Sequence, residues 1–137
     1  MGTWIGEIMA RVQRFEDLEV WKLAREITNE VYRLSSVEPF FRDFGLRNQM
    51  RDSSVSIMSN IAEGFERDGD RAFVQFLSIS KGSAGELRSQ LYVALDQAYI
   101  VEDDFRRVYG KVVECSPAIS GLIKYLRQSE LKGRKFT

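Results

Sequence analysis

The sequence contains no histidine. With that residue go the commonest general base, the commonest transition-metal ligand and the one side chain whose unperturbed pKa lies near neutrality. The Glu-x-x-His motif of di-iron bundles is excluded on the same ground. A single cysteine, Cys115, forms no internal disulfide and completes no zinc or redox motif, which points to a reducing compartment. Only two prolines, Pro39 and Pro117, interrupt 137 residues. Charge of one sign is not in excess either: 20 basic and 20 acidic side chains sum to zero, so the bulk attraction of a strongly basic nucleic-acid binder is missing. Nor does any apolar run reach the roughly 20 residues that a membrane span requires, since Glu7 and Arg11 break the opening segment. These absences lead to the expectation of a cytoplasmic, non-enzymatic protein with no cofactor, no bound metal and no membrane partner.

What is present is apolar material, 44% of the chain, with a helical period. Trp4, Ile5, Ile8, Met9 and Val12 recur at helical spacings, so residues 1–14 read as an N-terminal arm, docked on its own or a neighbouring subunit, or as a frayed tail. The first long helix is expected to start near Asp17 as N-cap. It carries Val20, Ala24, Ile27, Val31 and Leu34 on one stripe and ends before Pro39. Phe40, Phe41 and Phe44 follow in a short loop closed by Gly45, too much apolar area to leave in water.

The second helix, expected from about Leu46 to Gly64, places Leu46, Met50, Ser53, Ile57 and Ile61 inward. Val55, Met58 and Ala62 widen its apolar arc beyond what one bundle seam needs, which implies a second buried contact. The third helix, capped by Asp70, runs Phe73, Leu77, Ser80, Ala84, Leu87, Leu91, Ala94, Ala98 without a slip. Gly82 and Gly85 lie inside it at a cost of about 1 kcal/mol each relative to alanine, so a close backbone approach is expected there. The turn from Tyr99 to Val101 reads as the shortest connection. The fourth helix opens on Glu102, Asp103 and Asp104 and buries Phe105, Val108, Val112, Cys115, Ile119, Leu122 and Leu126, with a bend expected near Ser116 ahead of Pro117. The prediction is an all-α, antiparallel up-down-up-down four-helix bundle over residues 15–131, followed by a basic C-terminal tail at 132–137.

Two groups of side chains bear on chemistry. Ser56, Asn60, Glu63, Ser83 and Glu86 are positioned to meet across one seam. As a carboxylate pair, Glu63 and Glu86 would suit metal or acid–base work; as a satisfied polar network the set would fix helix register. Fourteen of the twenty cations are arginine. Arg42, Arg47 and Arg51 gather near the three phenylalanines, Arg11 and Arg14 form a second cluster, and Lys132, Arg134 and Lys135 a third. They are candidate phosphate contacts, or surface partners of Asp43, Asp52 and other acids. Phe40, Phe41 and Phe44, with Val55, Met58 and Ala62, are the candidate oligomer or partner interface.

The segments FEDLEVWKLA, GLRNQMRDSSVSIMSNIAEGFER and FVQFLSISKGSAGELRSQLYVALDQAYI resemble the four-helix-bundle family first recognised in intervening sequences of bacterial 23S ribosomal RNA genes. Ser56, Asn60, Ile61, Ala62, Glu63 and Gly64, with Gly82, Ser83, Glu86 and Leu87, carry the likeness. The resemblance implies a small bundle assembling into a homopentameric ring, with relatives that bind nucleic acid as accessory proteins to a retroelement reverse transcriptase. A fivefold ring would multiply each arginine cluster into a cationic band. The expected function is an oligomeric scaffold for structured RNA or an RNA–DNA hybrid, possible partners being RNA or DNA and a reverse transcriptase. The alternative is a protein-binding adaptor with no nucleic-acid role.

Overall fold

The structure, a computed structural model, describes residues 2–136, with side chains for residues 5–129. It consists of helices α1 (Gly2–Met9), α2 (Glu19–Ser35), α3 (Phe44–Glu66), α4 (Asp70–Asp96) and α5 (Glu102–Phe136), with 3₁₀ turns at Phe15–Asp17 and Phe40–Arg42. No strand occurs among the described residues. α2 packs on α3, α3 on α4, α4 on α5, and α5 returns to α2. The short connections reverse the chain each time, so this cycle is a four-helix bundle of antiparallel neighbours.

The apolar stripes read from the sequence form the core. Ala24, Ile27, Val31, Ile57, Ile61, Leu77, Leu87, Leu91, Val108, Val112, Cys115 and Ile119 are all but inaccessible. Hydroxyls fill the gaps in those stripes without leaving polar atoms stranded. Buried Thr28 donates to the carbonyl of Ala24 at 2.9 Å, with the carbonyl of Ser54 also 3.1 Å from its Oγ1, and Ser80 Oγ donates to the carbonyl of Ile57 at 2.8 Å. The approaches to Ser54 and Ile57 tie a helix to its neighbour through a backbone acceptor, a contact that only one register allows.

Several local expectations are corrected. Asp17 does not cap the first long helix. Its carboxylate accepts from the backbone of Gln13 and Arg14 at 3.1 and 3.3 Å and so closes the 3₁₀ turn, leaving α2 to start after Leu18. Asp43, not Gly45, ends the phenylalanine loop: its side chain accepts from Leu46 N at 3.1 Å, which draws Phe44 and Gly45 into α3. Asp70 is the first residue of α4, and the cap position belongs to Gly69, whose φ of 90° suits a residue without Cβ. Ala98 is not the end of the core stripe but an exposed residue with φ 59° in the turn to α5. That turn spans residues 97–101, so the tighter link is 67–69, between α3 and α4.

The glycines reverse the expected roles. A Cβ on Gly82 or Gly85 would meet nothing within 4 Å, whereas one on Gly64 would lie 2.7 Å from Phe76 Cβ and 3.0 Å from Phe73 Cδ1. The close approach is therefore where α3 ends against the start of α4. Pro117 lies inside an uninterrupted α5.

α1 packs against α5, and Gly6 comes within van der Waals reach of the Tyr125 ring, 3.8 Å from a Cβ built there. An apolar cavity of 360 Å³ remains between the two, bounded by Ile5, Ile8, Met9 and Val12 on one side and Pro117 and Leu122 on the other. The arm thus lies on α5 of its own chain. The side chain of Trp4 lies outside the described residues.

Candidate nucleic-acid interface

One end of the bundle holds Arg42, Arg47 and Arg51. Phe40 is fully buried there, stacked on Tyr99 with ring centroids 5.3 Å apart and planes 15° from parallel. It is thus core and not part of an oligomer interface, because the 3₁₀ turn rotates it beneath the helix ends while Phe41 and Phe44 stay outside, 38% and 58% exposed. Tyr99 donates its hydroxyl to Asp43 Oδ2 at 2.9 Å, and this hydrogen bond, with burial adding to it, raises the phenol above its ordinary pKa.

Asp43 is consumed by that bond and by the helix cap, which leaves the arginines around it without a carboxylate from this source. Arg42 pairs with Glu38 at 2.9 Å. Arg47 instead lies over both outer rings, its guanidinium carbon 4.7 Å from the centroid of Phe41 and 4.7 Å from that of Phe44. Arg51 lies 4.5 Å over Tyr32 and donates to the hydroxyls of Ser35 and Ser36 at 2.8 and 3.1 Å. Neither meets a carboxylate among the described residues. Arg47 also donates to Asn48 Oδ1 at 3.1 Å and to the Phe41 carbonyl at 3.2 Å, so both guanidiniums are fixed in one plane by rings and neutral acceptors and keep their charge for a phosphate.

The other cationic candidates do not join this cluster. Arg14 is engaged by Glu16 at 2.7 Å, and Arg11 and Arg14 precede α2 while Arg42, Arg47 and Arg51 follow it. The two groups are therefore separated by the length of α2, roughly 25 Å. The side chains of Lys132, Arg134 and Lys135 lie outside the described residues. Elsewhere, Glu30 holds Arg107 at 2.7 Å and Arg33 at 2.8 Å. Its partial burial opposes ionisation, but the two arginines outweigh it and lower its pKa.

The polar seam between α3 and α4 divides in two. Ser56 and Ser83 share a hydrogen bond of 2.8 Å, and Asn60 donates to the Ser56 carbonyl at 2.8 Å. Nearer the α3 start, Ser53 donates to Glu86 at 3.0 Å and Gln90 to the same oxygen at 3.3 Å. Glu63 is not part of this network; it is exposed and paired with Arg67 at 2.9 Å. Glu86 faces Ser53, ten positions along α3 from Glu63, so roughly 15 Å of helix separates the two carboxylates and they form no pair. The set fixes register, with Gln90 Oε1 the one buried side-chain acceptor left without a partner among the described residues. No cluster of three metal-ligating side chains occurs among the described residues.

Met58 and Ala62 are half-buried, and Met58 sulfur sits 3.4 Å from Thr28 Oγ1, so the widened arc of α3 is partly used within the subunit, against α2. Val55 stays outside at 37% exposure. Cys115 is enclosed, and burial, aided by Glu114, pushes its thiol up to about 12. A thiol held neutral is a poor nucleophile. We expect Cys115 to resist iodoacetamide in the native protein at pH 8 and to be labelled fully in denaturant; native labelling at the denatured rate would show that the core opens there.

Sequence reasoning overlooked three cations. Lys81 on α4, with Lys124 and Arg127 on α5, line one groove of 610 Å³ whose wall includes Gly82, Ser120 and Ile123. The signal that would have found them is the antiparallel pairing of α4 with α5, which sets rising numbers on one helix against falling numbers on the other.

Residues 16–121 match the model of the 23S rRNA-intervening sequence protein family. The chain belongs to that family. Its fold agrees with a crystal structure of a protein of unknown function from the S23 ribosomal protein family of Bacteroides thetaiotaomicron. That likeness has a TM-score of 0.71 at 20% identity, covering 77% of this chain and 95% of the other. No curated protein matches the chain in sequence. The family match spans the segment from the 3₁₀ turn before α2 to the middle of α5, so it contains the Arg47 and Arg51 cluster and the seam of Ser56, Asn60 and Ser83. Among the described residues no helix of this family member is long and apolar enough to cross a membrane.

Proposed function

We propose that this protein is a non-enzymatic, ring-forming scaffold that binds structured RNA or an RNA–DNA hybrid through its arginines and serves a nucleic-acid-processing partner such as a retroelement reverse transcriptase. The family's connection to 23S ribosomal RNA genes supports an RNA-related role. The observation that carries the reading is the pair Arg47 and Arg51, both laid on aromatic rings and both free of carboxylate partners among the described residues. Exposed Phe44 and Val55 on the same helix supply apolar area for a neighbouring copy, and repetition around a ring makes up for a net charge of zero.

Fluorescence anisotropy with a labelled RNA stem-loop tests this. The double variant Arg47→Ala/Arg51→Ala is expected to bind at least tenfold more weakly and to flatten the plot of log K against log salt by about 2, one ion release per lost phosphate contact. Unchanged affinity in the variant, or binding by the parent protein that ignores salt, would overturn the reading. Sedimentation checks the ring: a single protomer at micromolar concentration contradicts it.

A further inference from the structure

We infer that the groove between α4 and α5 is a second site, which binds a single strand of nucleic acid lying along the helices. Its walls follow from helical spacing. Lys81, Gly85, Arg88 and Tyr92 succeed one another along the flank of α4 at intervals of four, three and four. On the antiparallel flank of α5, Arg127, Ser120, Ser116, Tyr109 and Phe105 run back beside them. Between Lys81 and Tyr92 on the one flank and Phe105 and Arg127 on the other, none of these positions is acidic; Asp96 continues the α4 row beyond Tyr92.

Two places along this α4–α5 face differ in chemistry, the groove itself and an aromatic cluster beyond it. At one, Lys81, Lys124 and Arg127 converge, with no carboxylate partner for any of them among the described residues. At the other, the rings of Tyr92, Phe105 and Tyr109 form a cluster with centroids 5.0 to 5.5 Å apart. Arg88 closes it, donating to the Tyr109 hydroxyl at 3.0 Å with its guanidinium 5.4 Å from that ring. Tyr92 leaves 47% of its surface open to solvent. Between them the wall is low, because a Cβ at Gly82 or Gly85 would meet nothing within 4 Å.

A free phosphate or an acidic peptide needs only the cations. A polynucleotide strand uses both places, phosphates on the lysines and Arg127, bases against the exposed ring. From Lys81 to Tyr92 the helix rises roughly 16 Å, room for four or five stacked nucleotides at about 3.4 Å each. The site lies apart from Arg47 and Arg51, on other helices.

The test uses the full chain and a labelled decauridylate at low salt, with the RNA stem-loop measured in parallel. Lys81→Ala/Lys124→Ala/Arg127→Ala is expected to weaken decauridylate binding at least tenfold and to lower its salt slope by about 2, near 0.7 per lost contact. Tyr92→Ala is expected to weaken it about tenfold and Tyr92→Phe to restore it, since stacking needs the ring and not the hydroxyl. Circular dichroism of these surface variants confirms folding. Absence of decauridylate binding, or binding unaffected by the triple variant, overturns the inference. So does a Tyr92→Ala variant indistinguishable from the parent, with polyglutamate competing as well as the oligonucleotide, because that marks a general anion site. Loss of stem-loop binding in Arg47→Ala/Arg51→Ala with decauridylate binding intact separates the two sites, and failure of one reading leaves the other standing.

Discussion

Phe40→Ala is expected to remove about 3–5 kcal/mol of stability, the range for truncating a fully enclosed aromatic ring. The figure is large against the about 5–15 kcal/mol that holds a typical domain together. The ring has no exposed surface and lies flat on Tyr99, so the cavity left by alanine sits under the ends of three helices. It also removes the support of Tyr99, whose hydroxyl holds the carboxylate that caps α3. Urea denaturation followed by circular dichroism reads the effect as a lower midpoint with an unchanged slope. Phe41→Ala, made in parallel, strips an exposed ring and is expected to stay within about 0.5 kcal/mol. Equal losses in the two variants would mean that Phe40 is not the ring on which this end is built.

The second large effect is expected at Gly64. Alanine there gains about 1 kcal/mol of helix propensity, but its methyl group would sit 2.7 Å from Phe76 Cβ, an atom fixed to the α4 backbone, and 3.3 Å from the Phe73 carbonyl oxygen. The two helices must part to admit it. Overpacking of this kind runs to about 1–3 kcal/mol and more for larger residues, so Gly64→Ala should be destabilising on balance and Gly64→Val should lose about 3 kcal/mol or more. Gly82→Ala and Gly85→Ala meet open space and are expected to gain about 0.5–1 kcal/mol each. Thermal melts of the four variants decide the matter. If Gly64→Ala stabilises as Gly82→Ala does, the tight crossing of α3 and α4 is wrong.

That contrast also shows what a sequence can reveal. Ile57, Ile61 and Gly64 continue the same four-three stripe that buries Met50 and Ser53, so Gly64 stood at a core position. Gly82 and Gly85 each fall one or two places off the stripe of Ser80, Ala84 and Leu87. Reading glycine for its composition rather than its phase put the close approach on the wrong helix. The stripes themselves were legible apart from the overrun to Ala98, because burial on one side of a regular helix imposes its period on the sequence. Loop outcomes were not: nothing in the order Phe40, Phe41, Phe44 says which ring a 3₁₀ turn will rotate inward. Helix starts were misplaced at Asp17 and Asp70 because an aspartate serves equally well in a preceding turn or first turn as at a cap. Among candidate site residues, Ser56, Asn60, Ser83 and Glu86 could be placed from spacing, since α3 and α4 lie side by side. Glu63 could not be separated from them without the angle at which the helices meet. Lys81, Lys124 and Arg127 stayed hidden because their proximity depends on the register of two segments some forty residues apart.

The docking of α1 on α5 joins the start of the chain to a partner near its end, with Gly6 beside Tyr125. The arm is synthesised ahead of α2, α3 and α4, so it has no seat until α5 follows them. Contacts of such sequence separation carry the greatest loop-closure entropy and form late. The arm is therefore a final latch, expected to set after the bundle that it closes over.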